Sequence, residues 1–404
     1  MQISGKGAYV LTIYLMRGWS YLRGTLSIPE PEVPGAQQSR LSALDMYRFV
    51  CVTIALTSHA LLTIKVDIPI DGGWMALALL SKTGAGPLLL LFGLIAEIVS
   101  YPRYVREGAV SVRRRLLGRA VACHAAFVGL STLVAITRPD GVTYAIASIA
   151  FLPMTMYSVI FAVYFFLLLA LLGVLPLRHR AGFAGLAALL GGVWLIDWAV
   201  LSRLPDASAH FIRVADMIMG GGGRWGPSAF HSLSLVIAGM AVGKLFYSAE
   251  RRWDAGAVGG AMFVLALSVI GWTVLQSSWT GFATGILNYS YRFSNHPAYF
   301  AYSLIAGLIM IGLSYGLRAV LPKSPQQVLL EIGRHTFSYF VIGNALLILT
   351  PVSLVHRGGA ETIFLVMFLP VVAAVTLLWA SRGRELFGGM VGWLTAQARM
   401  TIAP

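Results

Sequence analysis

Asp45, Arg48 and His59 stand in the stretch LDMYRFVCVTIALTSHALL (44–62), an otherwise apolar run of the length that crosses a bilayer. An acid, a guanidinium and an imidazole are costly there: insertion scales put Arg or Asp at the centre of a span at about 2.5–3.5 kcal/mol. Arg48 to His59 is eleven steps, which at about 100° each ends roughly 20° past three full turns, so the two share a face about 16 Å apart along the axis. Asp45, three residues before Arg48, joins that face. A charged stripe of this kind must look into the bundle interior or a water-filled cavity. Two readings follow. Asp45 and Arg48 anchor the inner interface by snorkelling while His59 is a hydrogen-bonded core imidazole, or the stripe works on a substrate.

A second group is VRRRLLGR (112–119), with Arg113, Arg114, Arg115 and Arg119 at the mouth of a span. Topology alone accounts for two or three arginines. Four within seven residues also make a polyanion site, because Arg grips phosphate through a planar fork and keeps its charge. Glu97 closes GAGPLLLLFGLIAE (84–97) and is expected to pair with an arginine, while Gly84, Gly86 and Gly93 let a neighbouring helix approach closely. Asp197, in VWLIDWAV, either orients a histidine, binds a hydroxyl or pairs with an outer arginine. His124, His231 and His335 read as packing or interfacial residues, and no HxxxH or HxxE spacing marks a metal site.

The elements that must hold these residues are membrane helices. The chain has 404 residues, 57% hydrophobic and 11% charged, against roughly 25% charged in soluble domains. Apolar runs of spanning length recur and alternating barrel strands do not, so the expected fold is all-α, a polytopic transmembrane helical bundle. Ten spans are expected, at 43–65, 75–101, 116–136, 156–176, 181–202, 228–247, 256–280, 298–318, 328–350 and 362–380. Basic residues concentrate in alternate loops (RYVREGAVSVRRRLLGR, RHR, KLFYSAERR, RAVLPK and the RGR tail), which places both termini in the cytoplasm. That asymmetry absorbs most of the net charge of +14 and leaves no nucleic-acid footprint. Residues 1–40 read as an interfacial amphipathic segment and a Pro-rich connector, 41–382 as the membrane domain and 383–404 as a cytoplasmic tail. Cys51 and Cys123 fall inside spans as small core residues. Two long outer loops (202–231 and 280–299) mix aromatics, Arg, His, Asn and Gly, as sugar-binding surfaces often do and as interfacial connectors also do.

The interval from Arg48 to His59, with LDMYR before it, resembles the Arg, ten residues, His signature of the acyltransferase 3 family of integral membrane acyltransferases, with Phe49 where that family has glycine. GAGPLLLLFGLIAE, VRRRLLGR and IGRHTFSYFVIGNALL (332–347) resemble its later segments, with Thr336 in place of a serine and Asn344 in place of a histidine. These departures resemble a divergent branch near the osmoregulated periplasmic glucan succinyltransferases. The resemblance implies transfer of an acetyl or succinyl group from cytoplasmic acyl-CoA to a hydroxyl of an extracytoplasmic glycan, with no permanently bound cofactor or metal. His59 would be the general base. Arg48 would fix the donor and Asp45 would hold Arg48, with Arg113, Arg114, Arg115 and Arg119 on the phosphates. Asp197, Trp225, Tyr291, Arg292, His296 and Tyr299 would meet the acceptor. The implied setting is the bacterial inner membrane, with a homo-oligomer open. Two rivals stand beside this reading: a proton-coupled transporter or flippase using His59, Asp45 and Glu97, and a membrane N-acetyltransferase acting on an amino sugar.

Overall fold

The computed structural model describes residues 35–65, 74–137, 141–152, 155–200, 210–220, 226–247, 253–350 and 361–381. The regular structure among them is helical, the form in which a chain removed from water satisfies its own backbone. In chain order the helices are α1 (Gly35–Thr63), α2 (Trp74–Ser81), α3 (Ala85–Ile95), α4 (Tyr101–Ile136), α5 (Gly141–Ile149), α6 (Val159–Ala199) and α7 (His210–Met219). There follow α8 (Ala229–Tyr247), α9 (Trp253–Leu287), α10 (Ser290–Phe293), α11 (Pro297–Val320), α12 (Lys323–Arg334), α13 (Thr336–Leu349) and α14 (Glu361–Ser381). One π turn, Ala96–Ser100, joins α3 to α4.

Among the described residues seven helices are long and apolar enough to cross a membrane, and eight if the α12–α13 pair, bent by 82°, counts as one span. The sequence reading expected ten, and the difference has a physical origin. Residues 85–136 form one continuous 52-residue element and α6 runs for 41 residues, so two pairs of expected spans each fall on a single element. Each element nevertheless breaks at a glycine with positive φ, Gly108 (82°) and Gly182 (62°), a conformation that glycine alone adopts without strain. The expected span at 75–101 is also interrupted. Its first part is the separate α2, and a turn at Lys82–Gly84 precedes α3. Residues 1–34 and 382–404, expected to hold most of the amphipathic segment with its connector and the tail, lie outside the described residues. So does Trp225.

α3 is the axis of the bundle. Leu89, Leu90 and Leu94 are fully buried on it, and its glycines are where its neighbours come closest. A Cβ added at Gly93 would stand 1.9 Å from the Val236 carbonyl oxygen of α8, and one at Gly86 would stand 2.2 Å from Ser303 Oγ of α11. At Gly84 the same atom would lie 2.7 Å from Ala55 of α1. The close approach read from these three positions is present. Just below, Glu97 and Arg178 form a buried ion pair at 2.9 Å, their side chains 4% and 7% exposed. The Arg178 guanidinium lies 4.0 Å from the Phe183 ring centroid and 4.7 Å from that of Tyr101. The partner expected for Glu97 is therefore on α6, beside its break at Gly182.

Candidate functional site

Two chambers meet inside the bundle. The first, about 360 Å³, is lined by Ser58 and His59 of α1, Lys82 and Gly84 of the α2–α3 turn, Thr155, Gly226, Tyr289 and Arg292, over an apolar floor. The second, about 350 Å³, holds Arg48 of α1, Arg119 of α4 and Arg334 of α12, with Ser100, Tyr164 and Thr336. Leu88, Ile160 and Phe340 line both, so one apolar septum divides the two. Each chamber abuts a helix break, the turn at Lys82–Gly84 or the α12–α13 bend. Irregular backbone at membrane depth is tolerated where it lines such a cavity.

His59 is the most constrained group in the first chamber. Its Nδ1 lies 2.6 Å from Asn344 Oδ1, and Asn344 Nδ2 donates to the Phe340 carbonyl at 2.8 Å. The second bond fixes which end of the amide faces the imidazole. A carbonyl oxygen only accepts, so Nδ1 carries the proton and Nε2 of the neutral ring is left with its lone pair. Asn344 is fully buried, and the His59 ring packs edge-on to Tyr157 at 5.7 Å and against Phe340 at 5.8 Å. Tyr157 is itself tied to α1 through Thr63 Oγ1 at 2.8 Å. Beside the histidine, Lys82 Nζ and the Arg292 guanidinium both lie over the Tyr289 ring, at 4.7 and 5.7 Å from its centroid. Arg292 Nε donates to the Gly226 carbonyl at 3.1 Å, and the Tyr289 and Ser58 hydroxyls are 3.4 Å apart.

Behind the lining of the second chamber, Asp45 lies 2.5 Å from Arg48 and 3.7 Å from Arg334. One carboxylate thus gathers two guanidinium groups from α1 and α12. Arg119 is the third cation of the lining, and its neighbours of like charge include Arg103, Arg48 and Arg115.

The sequence-derived stripe is real but divided. Asp45 and Arg48 serve one chamber and His59 the other, on opposite sides of the septum. The arginine cluster also divides. Arg119 lines the second chamber, whereas Arg113 and Arg114 are exposed and Arg115 pairs with Glu107 at 3.1 Å. A helix turning 100° per residue cannot aim four arginines within seven positions at one cavity.

Of the residues read as meeting an acceptor, Arg292 lines the His59 chamber. Asp197 instead pairs with His231 Nε2 at 3.1 Å, and His231 Nδ1 meets Ser228 Oγ at 2.8 Å. In this Ser–His–Asp row Ser228 and His231 are fully buried, under Trp194 and Phe300, while the Asp197 side chain is 27% exposed. The row serves as a clip, since the Ser228 N–H donates to Asn295 Oδ1 at 2.7 Å. Tyr291 stacks on His296 at 4.6 Å, and His296 Nδ1 caps α11 by accepting from the Ala298 N–H at 3.2 Å. Tyr299 is 5% exposed and packs on Phe300. None of these last four residues lines the chamber.

Lys82, Tyr289, Arg334 and Asn344 were missed as site residues. Lys82 carried a usable signal, a lone cation inside an expected span. Asn344 was visible only as a departure from a family pattern. His124 packs against Phe151 at 4.5 Å and His335 pairs with Glu331 at 3.2 Å, the packing and interfacial roles expected of them. Among the described residues no group of three His, Cys, Asp or Glu side chains converges as a metal site requires. No protein-family model, curated protein or solved structure matches the chain, and its apolar helices establish a polytopic helical membrane protein.

Proposed function

We propose that the chain is a membrane-embedded acyltransferase that receives an acyl-CoA in the Arg48 chamber and passes its acyl group to a glycan hydroxyl in the His59 chamber. The observation that carries this reading is the pair of chambers on either side of one apolar septum. One is rich in guanidinium groups; the other holds an imidazole whose Nε2 is free to take a proton. Arg48, Arg119 and Arg334 suit the phosphates and 3′-phosphate of a coenzyme A. The pantetheine arm would cross between Leu88, Ile160 and Phe340 to bring the thioester beside His59. In the reaction, Nε2 takes the acceptor hydroxyl proton as the oxygen attacks the thioester carbonyl. The C–S bond then breaks, and the thiolate leaves with the proton returned from the imidazolium, giving an ester and free coenzyme A. Asn344 holds Nδ1–H throughout and stabilises the imidazolium by accepting from it.

On this reading the breaks at Gly108 and Gly182 each separate two crossings, giving ten with the bent α12–α13 pair as one. Both termini and the Arg48 chamber face the cytoplasm of a bacterial inner membrane. The donor is acetyl-CoA or succinyl-CoA. A proton-relay transporter finds less support, because Glu97 is paired with Arg178 and lines neither chamber.

The test is acyl transfer from labelled acyl-CoA to an oligosaccharide by the protein in lipid nanodiscs. His59→Ala is expected to lower turnover by about 10²–10⁴-fold. A folded His59→Ala protein with full transfer would remove the assignment.

A further inference from the structure

We propose that the His59 chamber is selective for an anion: Lys82 and Arg292 bind a carboxylate carried by one of the two reactants that meet there. This rests on the acyl-transfer reading and narrows the substrate class of the same site.

The chamber's charges are one-sided. Its lining holds two cations and, among the described residues, no carboxylate; no described acid lies within ion-pair distance of Lys82 or Arg292. The Arg48 chamber offers the contrast, since there one carboxylate, Asp45, lies within ion-pair distance of both Arg48 and Arg334. A half-buried cation ordinarily finds a counter-charge, and among the described residues neither of these two does. Both are held beside the reactive imidazole, over the Tyr289 ring at 4.7 and 5.7 Å. The negative face of that ring steadies each cation without discharging it. Arg292 is fixed further by its bond to Gly226, which uses Nε and leaves the two terminal nitrogens with no partner among the described residues. A planar pair of donors and an ammonium group converging on one cavity are the recognition elements of a carboxylate.

Two sources of that carboxylate fit. It is either the far end of a dicarboxylic acyl group, pointing past His59 from the septum, or an acidic sugar of the acceptor. The experiment uses the full chain in nanodiscs with paired probes. One arm compares succinyl-CoA with acetyl-CoA on a neutral glucose oligomer. The other compares a glucuronate-containing oligomer with the neutral one, using acetyl-CoA. The anionic member is expected to lead by about tenfold or more in kcat/KM in one arm. Lys82→Gln should collapse that ratio toward one, while Lys82→Arg keeps it. Ratios near one in both arms, or a ratio that Lys82→Gln leaves intact, overturn the proposal.

A binding arm separates this failure from failure of the acyl-transfer reading. The thermal midpoint is measured with succinate and with neutral succinamide. If no acyl-CoA is turned over, the enzyme reading falls, and a rise with succinate that Lys82→Gln abolishes still upholds the anion pocket. Equal responses to succinate and succinamide would overturn it.

Discussion

His59 and Asn344 meet at 2.6 Å although 285 residues separate them. The Asn344 amide is itself oriented by the carbonyl of Phe340, a residue of the septum. The group that sets the histidine's tautomer and the group that divides the chambers therefore lie one turn apart on α13.

Asn344→Leu should act through His59 alone. Without an acceptor at Nδ1 the imidazole loses its fixed tautomer, and turnover is expected to fall by about 10²-fold or more with the acyl-CoA KM little changed. Asn344→Gln or Asn344→Asp should recover part of it. The check is a kcat and KM comparison across the three variants; a rise in KM with unaltered kcat would mean that Asn344 contacts the donor instead.

Phe340→Leu thins the septum while keeping an apolar side chain. On the proposed acyl transfer, coenzyme A release without any glycan acceptor is expected to rise several-fold, because the thinned septum would admit water to a thioester held beside His59. Thiol release measured in the absence of acceptor reads this directly.

The second chamber predicts a sharp division among neighbouring arginines. Arg119→Gln and Arg334→Gln should each raise the acyl-CoA KM by about tenfold, the loss of one charge-assisted bond. Arg113→Gln and Arg114→Gln, exposed on other faces of α4, should leave it unaltered. Equal effects from all four would return the cluster to a diffuse electrostatic role.

Glu97→Gln leaves the Arg178 guanidinium buried between Tyr101 and Phe183 without its carboxylate. Breaking one partner of a buried pair costs about 3–5 kcal/mol, seen as a lowered unfolding midpoint in detergent. The double replacement Glu97→Leu with Arg178→Met is expected to recover most of that loss.

His296 sits just before α11, and burial pushes its pKa below the ordinary 6.5. The folded form therefore favours the neutral ring, whose Nδ1 caps the helix. Because the folded pKa is the lower one, this stability is present above pH 6.5 and is lost as the pH falls through the folded value. His296→Asn keeps a capping oxygen and should remove this acid sensitivity in thermal melts between pH 5 and 8.

What the sequence determined by itself is what local period and composition encode. The excess of apolar residues required helices in a bilayer. The 100° turn put Asp45, Arg48 and His59 on one face of α1. Small residues at 84, 86 and 93 marked where backbones would touch, and a lone Glu97 required a cation. Each of these is decided within a few turns of one helix. The tertiary structure decided what lies opposite each face. It set a septum across the stripe, so that Arg48 and His59 serve different chambers. It selected Arg119 from four arginines, paired Asp197 with His231, drew Tyr291, His296 and Tyr299 into capping and packing, and brought Asn344, Lys82 and Tyr289 to the histidine. No local pattern specifies those pairings, because they depend on how the α2–α3 turn, the α9–α10 connection and α13 are brought against α1, and that arrangement is fixed by close packing between elements far apart in the chain.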